Sequence, residues 1–152
     1  MNNMHPRVFL DLEQTIIDEW SNPVLINVGK ISNFLRQNNV DEIEIFSFAI
    51  WDEKDEANFC CELETRLMEA LGLQVRFIVH RVDQISNAVF KNTGVLWERQ
   101  ELITCLGKQE AFTQFCRAKF GKGDHCILLD DMVMNSVTVD TDFNRIIQAV
   151  RI

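Results

Sequence analysis

A three-layer α/β sandwich around a mainly parallel sheet is predicted by three features of the chain. Short continuous apolar runs at 8–10 and 126–129, and a mostly apolar run at 75–79, have the composition of buried strands. Between them lie segments whose apolar residues recur every three or four positions, the period of a helix with one buried face. Two of the apolar runs stop on acids: Leu10 leads into Asp11, and Leu129 into Asp130 and Asp131. Open parallel sheets bind ligands in the crevice beyond the carboxyl ends of their strands, which is where these acids fall.

The elements follow in order. After the strand at 8–10, Ser21, Asn22 and Pro23 are helix-start chemistry. Val24, Val28, Ile31 and Leu35 then predict an amphipathic helix over 23–37. Residues 42–50, with Ile43, Ile45, Phe46, Phe48 and Ile50, read as the second strand. Acids from Asp52 onward open a helix over 52–71, striped by Cys60, Leu63, Leu67 and Leu71 and stopped by Gly72. The third strand is 75–79. Within 81–107, Ile85, Ala88 and Val89 suit a short helix, and Asn92, Thr93 and Gly94 a turn. A helix over 108–120 turns Phe112, Phe115, Cys116 and Phe120 inward, and a glycine-bearing turn at 121–124 leads to the fourth strand, 126–129. Residues 136–139 fit a fifth strand, and 143–150 a terminal helix or a mixture of helix and edge strand.

The 152 residues make a single domain, 1–152, long enough to bury an ordinary core. Apolar and charged contents of 47% and 25% are globular values. A net charge of −8 argues against tracking a nucleic-acid backbone, which requires a basic stripe. It leaves room for a small phosphorylated substrate held through a metal. The five cysteines include no C-x-x-C pair, so reduced thiols acting as small apolar side chains are expected. Residues 1–6 lack an apolar signal core and no stretch reaches membrane-spanning length, so a soluble cytoplasmic protein with no membrane partner is expected.

If the strands ending at Leu10 and Leu129 are parallel neighbours, Asp11, Asp130 and Asp131 converge. Carboxylates so close repel one another unless a cation lies among them. Hard oxygen ligands select Mg²⁺, which also accepts a substrate phosphate oxygen. Trp20 and Trp51 lie where a nucleobase could stack on them, although packing against the adjoining helices is the preferred reading. Among His5, His80 and His125, only His80, at a strand end, is placed to face a site.

Asp11-Leu12-Glu13-Gln14-Thr15 resembles the first motif of the haloacid dehalogenase (HAD) superfamily, D-x-D-x-T after an apolar strand. Ser47 resembles its second motif, a serine or threonine at the end of the second strand. Gly107-Lys108, followed by Ala111 and Phe112, resembles the third, and Asp130-Asp131 the last. The four come in the family's order and span most of the chain. The resemblance implies a Rossmann-like sandwich with no large cap, since Thr15 is soon followed by Pro23 and residues 81–107 have room for only a helix or two. Members of this form often act on large substrates or close the site by forming homo-oligomers.

The resemblance also implies a Mg²⁺-dependent phosphatase. Asp11 would be the nucleophile, forming an aspartyl-phosphate. Mg²⁺ would be held by Asp11, the backbone carbonyl of Glu13, and Asp130, with Asp131 bound directly or one layer out. Ser47, Thr15 and Lys108 would contact the phosphoryl group, Lys108 also neutralising Asp11. The side chain at position 13 would be the acid for the leaving group and then the base for water. The motif has aspartate there. Glu13 carries its carboxylate one methylene, roughly 1.3 Å, farther out, and a misplacement of about 1 Å can cost on the order of 10²-fold in rate. Two readings therefore stand: a phosphatase working through phospho-Asp11, or a catalytically weakened HAD-like protein that binds a phosphorylated ligand or a protein partner. A receiver-like signalling domain fits poorly, because its phosphoacceptor would follow the third strand, which ends in Val79-His80.

Overall fold

The computed structural model describes residues 6–152; the readings of the first five residues, His5 among them, lie outside the described residues. The chain forms β1 (Arg7–Leu10), α1 (Val28–Gln37), β2 (Ile43–Phe46), α2 (Glu53–Glu62), α3 (Glu64–Leu71), β3 (Ile78–His80) and α4 (Val82–Thr93). A short α5 (Arg99–Glu101) runs into a π-helical turn (Leu102–Leu106), followed by α6 (Lys108–Lys119), β4 (His125–Asp130), β5 (Ser136–Asp140) and β6 (Arg145–Arg151). The strands make one six-stranded sheet in the order β3-β2-β1-β4-β6-β5. All neighbours are parallel except β5 and β6.

Alternation along the central strands builds the two cores. Val8 and Leu10 face one way and Phe9 the other, as the period of two in a strand requires. On the first face, Ile31 and Leu35 of α1, Phe59 of α2 and Leu67 of α3 cover Val8, Leu10, Ile43, Ile127 and Leu129. On the second, Ile85 and Val89 of α4 and Phe112 and Phe115 of α6 cover Phe9, Phe46 and Leu128. The Phe9 ring lies 5.0 Å from that of Phe112, edge to face. Helices on both faces of a mainly parallel sheet make the predicted three layers.

Glu44 is a buried acid in β2, and its partners correct one expectation. Arg7 grips it with two hydrogen bonds of 2.8 and 3.0 Å, and His80 Nε2 lies 2.8 Å from its Oε1. Burial pushes the Glu44 carboxyl up, but His80 and Arg7 more than offset this and hold it below the usual range. His80 thus serves an internal ion pair beside Phe9 and Phe115, and does not line the cleft described below.

Several boundaries differ from expectation. Helix α1 starts at Val28, not at 23, because residues 16–26 close a short hairpin instead. Ile26 N–H donates to the Ile16 carbonyl (2.8 Å), and the Asp18 carboxylate accepts from the N–H groups of Glu19 and Val24. Asn27, in the left-handed region at φ 56°, separates this hairpin from the helix. Local side-chain-to-backbone bonding has overridden a helical apolar spacing. The 52–71 segment is two helices, broken at Leu63. Strand β2 stops at Phe46, and β3 is shorter and later than 75–79. Helix α4 is longer than expected and belongs to the second helical layer, and of residues 94–106 only Ile103 and Leu106 line the crevice. Residues 145–151 are a strand and not a helix. β6 slots between β4 and β5 with Arg145, Ile147 and Ala149 buried in alternation, a pattern that suits its β-branched residues.

Candidate active site

The strand order creates the site. From β1 the chain moves outward through β2 to β3, then returns to place β4 on the other side of β1. The crevice beyond the carboxyl ends of β1 and β4 lies at this reversal. Leu10 pairs with Leu129, and Asp11 N–H donates to the Leu129 carbonyl (3.0 Å), so the two acidic ends are held in register. Asp11, Asp130 and Asp131 each present an oxygen, all within 4.8 Å of one another.

Lys108 enters from the opposite wall. Gly107 turns the chain from the π-helical turn into α6 at φ 86°, a conformation that favours glycine, and Lys108 is the first helical residue. Its Nζ lies 2.9 Å from Asp11 Oδ1 and 3.1 Å from Asp130 Oδ2. Thr15 closes the other side. Its hydroxyl lies 3.0 Å from Asp11 Oδ2 and 3.1 Å from Asp131 Oδ1, and accepts from the Asp131 N–H. A hydroxyl has one proton, so only one of the two carboxylates receives it at a time.

Asp130 Oδ1 accepts from Met132 N–H at 2.7 Å. Its buried Oδ2 has no partner in hydrogen-bonding geometry; the approach of Lys108 satisfies it by charge alone. Ser47, just past β2, is buried with its Oγ accepting from Ala49 N–H. Ser47 and the exposed Glu13 line the same cleft, about 1010 Å³ in volume. Trp20 and Trp51 do not line it; they pack against the two cores.

The electrostatics of the cluster are unbalanced. Burial pushes the Asp11 carboxyl up to about 6; Lys108 opposes this, Asp130 adds to it, and Thr15 opposes it again. Burial works against the charge on Lys108, yet Asp11 and Asp130 outweigh it and hold the ammonium above its ordinary value. Three aspartates thus face one lysine. A penalised anion, a buried carboxylate oxygen without a hydrogen bond, and an all-oxygen donor set fit a hard divalent cation.

The interlocked group of Asp11, Thr15, Lys108, Asp130 and Asp131 contains five of the seven residues singled out from the sequence; Glu13 and Ser47 stand beside it without bonding to it. One contributor carried no sequence signal. The Gln109 amide donates to the Met134 carbonyl (3.2 Å) and to Ser136 Oγ (2.7 Å), and accepts from Met134 N–H (3.2 Å). It pins the loop that follows the acids to the helix that carries Lys108. Gln109→Ala is expected to loosen the loop after the acids, speeding amide hydrogen exchange at residues 132–135 by about 10-fold, while the unfolding temperature changes by only a few degrees.

No family model, curated protein or solved structure matches the chain. Among the described residues, no helix is long and apolar enough to cross a membrane. The five cysteines are free, and Cys116 and Cys126 are buried as small apolar side chains.

Proposed function

We propose that the chain is a Mg²⁺-dependent phosphatase of the HAD type, acting through a phosphorylated Asp11. The observation that carries the proposal is the lock of Asp11 between Lys108 and Thr15 within reach of Asp130 and Asp131. Asp11 follows a central strand and has a fixed orientation, which a nucleophile needs. Mg²⁺, held by Asp11, Asp130, Asp131 and the backbone carbonyl of Glu13, would neutralise charge on the phosphoryl oxygens.

The chain's own groups account for the proton and bond changes. The Asp11 carboxylate attacks phosphorus, and the bond from phosphorus to the ester oxygen breaks. Glu13 gives its proton to the departing alkoxide. Lys108 faces the charge that builds on the phosphoryl group, and the Ser47 hydroxyl donates to one of its oxygens. Glu13 then takes a proton from water, and the resulting hydroxide attacks phosphorus. Inorganic phosphate leaves and Asp11 is restored.

Hydrolysis of an aryl phosphate is expected to require Mg²⁺ and to fall by at least about 10³-fold in Asp11→Asn. Full activity in that variant would remove Asp11 from the role of nucleophile. The binding-only reading is favoured by one observation: Glu13 is exposed, and no described residue hydrogen-bonds its carboxylate. Absence of turnover in every variant, with Mg²⁺ and phosphate still bound, would select it.

A further inference from the structure

The cleft is far larger than a phosphoryl group, and its walls say what the rest of the substrate must be. At about 1010 Å³ it has the capacity of a site for a drug-sized ligand. Its charges are lopsided. Five acids line it, against Lys108 and Arg117. Lys108 is already engaged by Asp11 and Asp130. Arg117 has Asp140 at 3.9 Å and lies nine residues farther along α6, roughly 13 Å at the helical rise. Glu13 and Glu110 add negative charge near the mouth. Among the described residues, no cation near the proposed phosphoryl position is left for a second anionic group.

Beside these charges and several polar side chains, the cleft gathers an exposed apolar set. Phe48 comes from the segment after β2, Ile103 and Leu106 from the π-helical turn, and Met132 from the loop after β4. Met132 is 80% exposed and Ile103 37%. Large apolar side chains gathered from three separate segments around a cleft mark a ligand-contacting surface, and methionine adapts to chains of varied shape.

We infer that the substrate is the phosphate monoester of an uncharged, apolar alcohol, alkyl or aryl, and not a bisphosphate, a nucleotide or another polyanion. This rests on the phosphatase reading and narrows it. The phosphoryl group takes the acid cluster, and the carbon chain next to the ester oxygen lies against Phe48, Leu106 and Met132.

The test is kcat/KM for a series of n-alkyl phosphates, ethyl to hexyl, with Mg²⁺, together with the matched pair propyl phosphate and propane-1,3-diyl bisphosphate. A rise of up to about fourfold per added methylene is expected until the mouth is covered. The bisphosphate is expected to be at least 10-fold poorer than propyl phosphate. Met132→Ser and Leu106→Ser are expected to flatten the chain-length slope. A flat slope in the wild type, or preference for the bisphosphate, overturns the inference. Calorimetric binding of the corresponding alkylphosphonates separates it from the phosphatase reading. Affinity that climbs with chain length in the absence of any hydrolysis supports the ligand class and overturns the phosphatase. Hydrolysis with no chain-length dependence does the reverse. Neither binding nor hydrolysis overturns both.

Discussion

Replacing Asp11 by asparagine is expected to stabilise the metal-free protein at pH 7, by about 1–3 kcal/mol. A carboxyl carried from 3.8 to about 6 on folding is disfavoured as the anion by about 3 kcal/mol. That value already includes the attraction of Lys108, so removing the charge relieves more than it forfeits. The asparagine oxygen still accepts from Lys108, and its amide can donate to the Thr15 hydroxyl, which limits the loss of hydrogen bonds. The sign fixes the pH dependence. Between about pH 4 and 6 the folded wild type binds more protons than the unfolded chain, so its stability falls as the pH rises through that window and is level above it. The asparagine variant lacks this decline. The two proteins should unfold alike below pH 4 and diverge toward pH 7, by roughly 2–10 °C in unfolding temperature. If Asp11 is a Mg²⁺ ligand as proposed, saturating Mg²⁺ should cancel or invert the order, because a ligand at 100 times its Kd stabilises by about 2.7 kcal/mol and the variant would lack one ligand. A variant less stable than wild type in chelator at pH 7 would show that the aspartate cluster carries no charge strain.

Under the proposed phosphatase mechanism, Glu13→Asp is expected to raise kcat by up to about 10²-fold at little cost in stability. The backbone around residue 13 is tightly held: Gln14 sits at φ 62°, and its N–H donates to the Ile17 carbonyl at 2.7 Å. The main chain therefore has little freedom to draw a longer side chain back, and the carboxylate of Glu13 lies about one methylene farther out than that of an aspartate would. Shortening the side chain should act on kcat more than on KM, since the proton transfer belongs to the transition state. Because Glu13 is exposed, the same substitution should change the unfolding temperature little. A fall in kcat would mean that the site is built around glutamate, and that the length of this side chain is a specificity device.

The sheet and the acid cluster were legible because both depend on short-range pattern. The apolar runs at 8–10 and 126–129 are too short for ordinary helices and suit buried strands, and an acid directly after such a strand falls at its carboxyl end. Helix α6 was legible from the spacing of Phe112, Phe115 and Cys116. What failed depended on partners that apolar spacing does not reveal. Residues 145–151 become a strand because β4 and β5 flank them, and their own spacing does not decide between helix and strand. Residues 16–26 become a hairpin because Asp18 bonds two backbone N–H groups, a choice invisible beside the competing apolar stripe. Gln109 illustrates the same limit in the site. Its value lies in Met134, 25 residues away, and a glutamine in a first helical turn is otherwise unremarked.

The reversal of strand order has a consequence for how the chain acquires its site. Thr15 and Asp131 hydrogen-bond across 116 residues, and Lys108 reaches Asp11 across 97. A folding intermediate holding only β1, α1 and β2 would contain Asp11 with neither Lys108 nor Asp130 and Asp131. Such distant contacts close late, after the loop entropy of nearly the whole chain has been spent. The carboxylate cluster should therefore appear in one cooperative event, the arrival of β4 beside β1, and no fragment that ends before β4 contains it.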